Sequence, residues 1–129
     1  MTPDDIRRLA NWANDVAFPD DASLTEAMKR VTVGRAYYSA FLQVRAHMRH
    51  RTGDPKMLST GPATHAALLA VLRGVHSTNH DQDIADELES LFGRRKTADY
   101  ELQARRVWEK EANDAVEQAK EIFRLTALQ

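Results

Sequence analysis

The chain has 129 residues, which suits a single domain spanning 1–129 that needs neither a disulfide nor a metal to form its core. It contains no cysteine, which excludes a disulfide scaffold, a thiolate zinc site and a cysteine nucleophile. With 18 Lys and Arg against 19 Asp and Glu, the formal net charge of −1 excludes the general positive field of a dedicated duplex-DNA binder. Any contact with nucleic acid therefore has to come from a local basic patch.

The first predicted helix opens with Thr2 as its N-cap, Pro3 at the first helical position and Asp5 in the first turn. Apolar residues then recur at helical spacing, which predicts one buried stripe. Its members are Ile6, Leu9, Ala10, Ala13, Val16 and Ala17. The Phe-Pro-Asp-Asp sequence at 18–21 ends this helix.

The second predicted helix is the longest, and a capping box formed by Ser23 and Glu26 is expected to open it. Steps of four and three residues then give a heptad-like seam, which favours antiparallel helix packing or a dimer interface. The seam consists of Ala27, Val31, Gly34, Tyr38, Phe41, Arg45 and Met48. The helix is predicted to reach about Arg51 and to end in the sequence Thr-Gly-Asp-Pro at 52–55.

Three more helices are predicted after a loop at 59–62. The third, 63–72, is apolar on all sides and is expected to be central or at an interface, with Gly74 as its stop. The polar stretch 76–83 reads as a loop before a fourth helix that begins near Ile84. The fifth buries Trp108, Ala112, Ala115, Val116, Ala119, Ile122 and Phe123. No stretch alternates like a strand, so we expect an all-α, up-and-down bundle of four to five helices.

The sequence carries no targeting signal and no cofactor-binding motif. Its N-terminus is acidic and lacks the apolar run of a signal peptide, and no segment approaches the roughly 20 apolar residues that span a bilayer. The segment 61–65 has neither the glycines nor the lysine of a phosphate-binding loop. We therefore expect a cytoplasmic protein with no membrane segment, no cofactor and no metal site.

Two segments differ from a generic helical bundle. The segment 34–41 reads Gly-Arg-Ala-Tyr-Tyr-Ser-Ala-Phe, and 94–100 reads Arg-Arg-Lys-Thr-Ala-Asp-Tyr. A Thr-His pair stands between them at 64–65. Arg-x-Tyr-Tyr-x-x-Phe, Thr-His and Arg-x-x-Ala-Asp-Tyr occur in this order in a branch of the HEPN superfamily (higher eukaryotes and prokaryotes nucleotide-binding), and the chain from about Ser23 onward resembles that branch.

The resemblance implies a helical homodimer with a cleft lined by the late motif. In catalytic members that motif is Arg, four to six residues, then His, and they act as metal-independent ribonucleases in toxin–antitoxin, CRISPR and phage-defence systems. Arg would hold the phosphate and His would move a proton. The catalytic set implied here is Arg95, Asp99 and His65. The set implied to bind RNA or nucleotide is Arg94, Arg95, Tyr100, Arg35 and Tyr38.

The chain departs from the catalytic pattern because Asp99 stands where His is expected. A carboxylate in water is ionised at neutral pH, so it repels phosphate and is a weak proton shuttle. Arg95 and Asp99 are one helical turn apart, where an intrahelical salt bridge with a purely structural role is the alternative. Tyr37 and Tyr38 would then be core residues, and His65 a polar residue near a helix start.

Three functions remain open from the sequence. The first is a ribonuclease or toxin that uses the late motif. The second is a non-catalytic module that binds RNA, nucleotide or a partner protein such as a nucleotidyltransferase antitoxin, which in some related toxins modifies a tyrosine close to the motif, here Tyr100. The third is a helical dimer with no ligand.

Overall fold

A computed structural model describes residues 1–52, 62–74 and 77–128 of the chain, and within them it contains α-helices and no β-strand. The helices are α1 (Pro3–Asp15), α2 (Ala22–Thr52), α3 (Pro62–Leu72), α4 (Asn79–Tyr100) and α5 (Trp108–Ala127). The all-α prediction is thereby confirmed. Residues 53–55 of the predicted helix end and residues 59–61 of the predicted loop lie outside the described residues.

The long helix α2 lies at the centre and packs against α1, α4 and α5. The end of α1 meets the beginning of α2, where the Lys29 ammonium donates to the Asn14 carbonyl. The end of α2 meets the beginning of α4 through an ion pair between Arg51 and Asp81. Both neighbours therefore run antiparallel to α2. With α5 closing the bundle against α2 and α4, the arrangement is the expected up-and-down bundle.

The core consists of aliphatic side chains from α2, α3 and α4 packed against small residues of α5. Ala112, Ala115 and Ala119 are all fully buried, so α5 approaches its neighbours closely. The largest fully buried apolar side chains come from the other helices and from the end of α5: Met48, Leu68, Leu72, Ile84, Leu88, Leu91, Ile122, Val33 and Val44.

The heptad-like seam predicted for α2 follows the edge of its buried face. Phe41 and Met48 are buried as expected, but Val31 is 49 % exposed and Tyr38 is 43 % exposed. The reason is that α2 contacts helices on several sides, which buries a face wider than the two-position stripe of a coiled coil. In α1 the difference is the reverse, because the predicted stripe is wider than the buried face and Leu9 is 48 % exposed.

Helix starts agree with the sequence at α1 and differ at α2. At α1, Thr2 and Asp5 form the capping box through reciprocal hydrogen bonds. At α2, the predicted box of Ser23 and Glu26 is wrong, because the Asp21 carboxylate accepts the Leu24 amide and the helix already begins at Ala22.

The loop predicted before α4 is too long. Thr78 and Asp81 form a second capping box, so the helix begins at Asn79. The positions 75–76 lie outside the described residues. The third helix is predicted to be central or at an interface. It is not central, because α3 packs at the side of the bundle against α4, with Leu68 and Leu72 buried and Ala66 and Ala70 exposed. Its place at an interface stays a prediction.

Candidate functional site

An open pocket of about 410 Å³ lies between α2 and the C-terminal end of α4. It is lined by Val31, Gly34, Arg35, Tyr37, Tyr38, Arg95 and Asp99. The early and the late motif therefore meet in three dimensions, because α2 and α4 run antiparallel and bring 31–38 beside 95–99. The pocket also takes in the exposed N-terminal part of the seam on α2.

Gly34 sets how closely the two helices approach at the pocket. A Cβ atom on Gly34 would lie 3.3 Å from Oδ1 of Asp99, which is tighter than an ordinary contact. A side chain at this position would require the carboxylate of Asp99 to shift by a few tenths of an ångström. Glycine therefore allows the carboxylate of Asp99 to lie against α2.

Arg95 lies between the carboxylate and two tyrosine rings. Its Nε is 3.0 Å from Oδ2 of Asp99, and one terminal nitrogen donates to the Tyr100 hydroxyl at 3.2 Å. The guanidinium carbon is 5.1 Å from the centre of the Tyr100 ring and 5.7 Å from that of Tyr37, within the range of cation–π attraction. The intrahelical salt bridge is thus present, and the guanidinium still faces the pocket.

Arg35 and Tyr38 form the opposite wall of the pocket. The Arg35 guanidinium lies 5.8 Å from the centre of the Tyr38 ring, and both side chains are exposed. Among the described residues, Arg35 has no carboxylate within ion-pair distance. Of the two tyrosines expected in the core, Tyr37 is buried at 7 % exposure, whereas Tyr38 faces solvent.

His65 forms a buried pair with Tyr37 behind the pocket. The Tyr37 hydroxyl lies 2.8 Å from Nδ1 of His65, and the imidazole stacks on Phe92 with ring centres 3.8 Å apart. Burial lowers the pKa of His65, with Lys96 and Arg95 acting in the same direction and Glu89 opposing them. Burial also raises the pKa of Tyr37, against the opposing charge of Arg95.

These shifts keep His65 and Tyr37 uncharged at neutral pH, so the two side chains share one neutral hydrogen bond whose direction depends on the tautomer of the imidazole. The imidazole is 7 % exposed and does not line the pocket, because the Tyr37 side chain stands between them. Its Nε2 is buried and has no hydrogen-bond partner among the described residues. The structure thus brings Arg95 and Asp99 together and places His65 one side chain away.

Arg94 points away from the pocket. Its guanidinium forms ion pairs with Glu111 and Asp114 of α5, and its Nε donates to Gln118 at 3.0 Å. Adjacent helical residues point in directions about 100° apart, so one arginine of the pair joins α4 to α5 while Arg95 faces α2. Tyr100 lies beside the pocket through its contact with Arg95 and is 68 % exposed.

One residue beneath the pocket was missed in the sequence. Arg30 is 7 % exposed and donates to backbone carbonyls at the end of α4. Its position carries a signal that could have found it, because it falls on the helical spacing of the buried residues Val33, Tyr37 and Ala40. A charge in such a stripe requires compensating partners.

The described residues contain no group of three or more His, Asp or Glu side chains that could hold a metal ion. Within the same part of the chain, no helix is long and apolar enough to cross a membrane. The polar side chains that line the pocket are those of Arg35, Tyr37, Tyr38, Arg95 and Asp99.

A family model described as HEPN domain matches residues 21–128, which span α2 to α5. No curated protein and no solved structure matches the chain. At the level of the family, the match supports a module related to nucleotides, RNA or toxin–antitoxin systems, and HEPN domains often dimerise.

Proposed function

The chain belongs to the HEPN domain family, and from this premise we propose that the pocket between α2 and α4 binds RNA or a nucleotide through a phosphate group. The observation that carries the proposal is that Arg35, Arg95 and the exposed ring of Tyr38 line one open pocket, with the exposed ring of Tyr100 packed against Arg95. We place this binding in a toxin–antitoxin or defence setting.

The chemistry of the pocket suits a phosphodiester. Arginine presents planar N–H groups that match phosphate oxygens. Arg95 uses its Nε for Asp99 and one terminal nitrogen for Tyr100, so its other terminal nitrogen can donate to a phosphate. Asp99 offsets part of the charge, but Arg35 leaves a positive surplus on the other wall. An unstacked base could then rest on an exposed tyrosine ring, as in proteins that bind single strands.

Fluorescence anisotropy with a labelled single-stranded RNA tests this binding. Arg95→Ala is expected to weaken it about ten- to a hundredfold, because a hydrogen bond between charged groups contributes about 1.5–3 kcal/mol. Arg124→Ala is the matched control, since Arg124 also pairs with a carboxylate of its own helix but lies on α5. Equal affinities for wild type and both variants would contradict the proposal.

The catalytic form of the proposal is a metal-independent endoribonuclease. Arg95 would hold the phosphate, and Asp99, or His65 acting through Tyr37, would handle the proton. The position of the Tyr37–His65 pair behind the pocket favours binding over this reaction, because His65 does not line the pocket. Incubation of total RNA in EDTA distinguishes them, since cleavage by wild type but not by Arg95→Ala, with 2′,3′-cyclic phosphate ends, would establish the nuclease.

The second candidate function is a non-catalytic homodimer that binds a partner protein such as a nucleotidyltransferase antitoxin. The exposure of Tyr100 favours it, because a hydroxyl beside the pocket can be reached by a second protein. Mass spectrometry of the chain co-expressed with such a partner is expected to show an adduct on Tyr100. An unmodified Tyr100, or a monomer in light scattering, would count against this function.

A further inference from the structure

The buried guanidinium of Arg30 reaches across from α2 to the backbone at the end of α4. One terminal nitrogen donates to the carbonyl of Ala98 at 3.1 Å and of Glu101 at 3.2 Å, with that of Thr97 at 3.4 Å. The other donates to the carbonyl of Leu102 at 3.0 Å, with that of Ala104 at 3.4 Å. Arg30 therefore binds the last turn of α4 and the segment that follows it.

The remaining contacts of Arg30 explain how a charge is kept at this depth. Its Nε pairs with Glu26 at 3.1 Å, and its guanidinium lies 4.1 Å from the centre of the Trp108 ring. A buried charge is costly unless it is paired and hydrogen-bonded, and here both conditions are met. The cation also lies at the C-terminal end of α4, where the helix dipole and the unsatisfied carbonyls favour it.

The carbonyls that Arg30 binds enclose two residues of the candidate site. Asp99 and Tyr100 lie between Ala98 and Glu101, so their backbone is held on both sides. They are also the residues that contact Arg95, through the carboxylate and the hydroxyl. The last turn of a helix frays easily without such partners. A frayed turn would separate Asp99 and Tyr100 from Arg95.

We infer that Arg30 is a positioning residue for the pocket, holding the last turn of α4 so that Asp99 and Tyr100 face Arg95. The inference rests on the proposed function for its effect on ligand binding, but the anchoring itself is independent of any ligand. The Arg30 guanidinium makes no hydrogen bond to a side chain that lines the pocket. It binds the last turn of α4 only through backbone carbonyls. Its loss should therefore act by lowering the fraction of molecules that have a binding-competent pocket.

Amide hydrogen exchange tests the anchoring without a ligand. The amides of Glu101 and Ala104 donate to the carbonyls of Thr97 and Glu101, so they report on the turn that Arg30 holds. In Arg30→Met these two amides are expected to exchange at least about tenfold faster than the change in global stability explains, with Arg30→Lys in between. Exchange that follows global stability in both variants would overturn the inference.

Ligand affinity of the folded protein tests the coupling to the pocket. Under conditions where circular dichroism shows every variant to be folded, Arg30→Met is expected to bind single-stranded RNA about tenfold more weakly, if a tenth of the molecules keep the competent turn. Thr78→Ala is the control, because it weakens the cap at the opposite end of α4. Equal affinity for Arg30→Met and Thr78→Ala would show a purely structural role and overturn the inference.

The two failures are distinguishable. If wild type binds neither RNA nor nucleotide, the proposed function fails, and hydrogen exchange alone still decides whether Arg30 anchors the turn. If wild type binds and Arg30→Met binds equally well, the proposed function stands and the positioning role fails. Partial rescue of affinity by Arg30→Lys is expected, because an ammonium group reaches fewer of the carbonyls.

Discussion

The two ends of the contact between α2 and α4 use arginine in different ways. At one end, Arg51 of α2 binds both carboxylate oxygens of Asp81 at 2.6 and 2.7 Å, and Asp81 is fully buried. At the other end, Arg30 binds backbone carbonyls below an open pocket that also holds Arg35 and Arg95. The first end is closed by the protein's own groups, and the second faces solvent.

The difference shows where a chain of net charge −1 can still attract an anion. At the open end, Arg30 pairs with Glu26 and Arg95 with Asp99, while Arg35 adds a further positive charge on the pocket wall. At the closed end, the buried carboxylate takes up its arginine in a bidentate pair. Composition alone does not reveal this, because the surplus is local. We therefore assign stability to the closed end and ligand binding to the open end.

The closed end should give the largest loss of stability. Arg51→Met removes the bidentate ion pair of the buried Asp81 carboxylate, so the free energy of unfolding is expected to fall by about 3–5 kcal/mol. Arg73→Met is the matched control, since Arg73 pairs with two exposed carboxylates and should change it by less than about 1 kcal/mol. Urea unfolding followed by circular dichroism measures both, and similar losses in the two variants would erase the contrast.

Beneath the open end, removal of the Tyr37 hydroxyl should cost an intermediate amount. Tyr37→Phe leaves Nδ1 of buried His65 without its partner, which is expected to lower the free energy of unfolding by about 1–3 kcal/mol. The hydroxyl points to His65, so the affinity of the folded variant for RNA should change little. A large loss of affinity without a loss of stability would instead assign Tyr37 a direct role at the ligand.

The same buried pair predicts a pH dependence of stability. Because the pKa of His65 is lowered on folding, the unfolded chain binds the proton more readily. The contribution of His65 to the free energy of unfolding is complete above the ordinary histidine pKa of about 6.5 and is lost as the pH falls towards the pKa of His65 in the folded protein. The slope is at most about 1.4 kcal/mol per pH unit. Urea unfolding of wild type and His65→Gln between pH 5 and pH 8 should show a shallower slope for the variant, and parallel slopes would contradict the assignment.

The smallest expected effect on stability comes from Gly34, the residue of α2 against which Asp99 of α4 packs at the pocket. Gly34→Ala removes a poor helix former, which is expected to raise the free energy of unfolding by up to about 1 kcal/mol once Asp99 moves aside. The displaced carboxylate would no longer hold Arg95, so the affinity for RNA is expected to fall or to change in its dependence on salt concentration. Thermal unfolding and anisotropy on one sample compare the two, and unchanged binding would place Asp99 outside the site.

Much of the fold follows from the sequence because its signals are local. The N-cap at Thr2, with Asp5 in the first turn, and the apolar spacing after Trp108 depend on neighbours along one helix, and both predictions are confirmed in outline. The capping box of Thr78 and Asp81 is local as well, but it lies in the polar stretch 76–83, which has no apolar periodicity and was therefore predicted to be a loop.

The site could be predicted only in part. The family resemblance brought the segments 34–41 and 94–100 together, and the structure places them at one pocket. Which of two adjacent arginines faces that pocket depends on where α5 packs, so the sequence placed Arg94 beside Arg95 in the set that binds RNA or nucleotide, although Arg94 pairs with α5. The role of Arg30 depends on backbone carbonyls, which carry no sequence signal of their own.

An NMR titration compares the two ends of the α2–α4 contact most directly. Backbone amide shifts are followed while single-stranded RNA and, separately, AMP are added to the uniformly ¹⁵N-labelled protein. Our account predicts that the shifts change at 31–38 and 94–100 and stay unchanged at 48–51 and 80–84. Changes centred on the closed end, or none at saturating ligand, would contradict the assignment of ligand binding to this pocket.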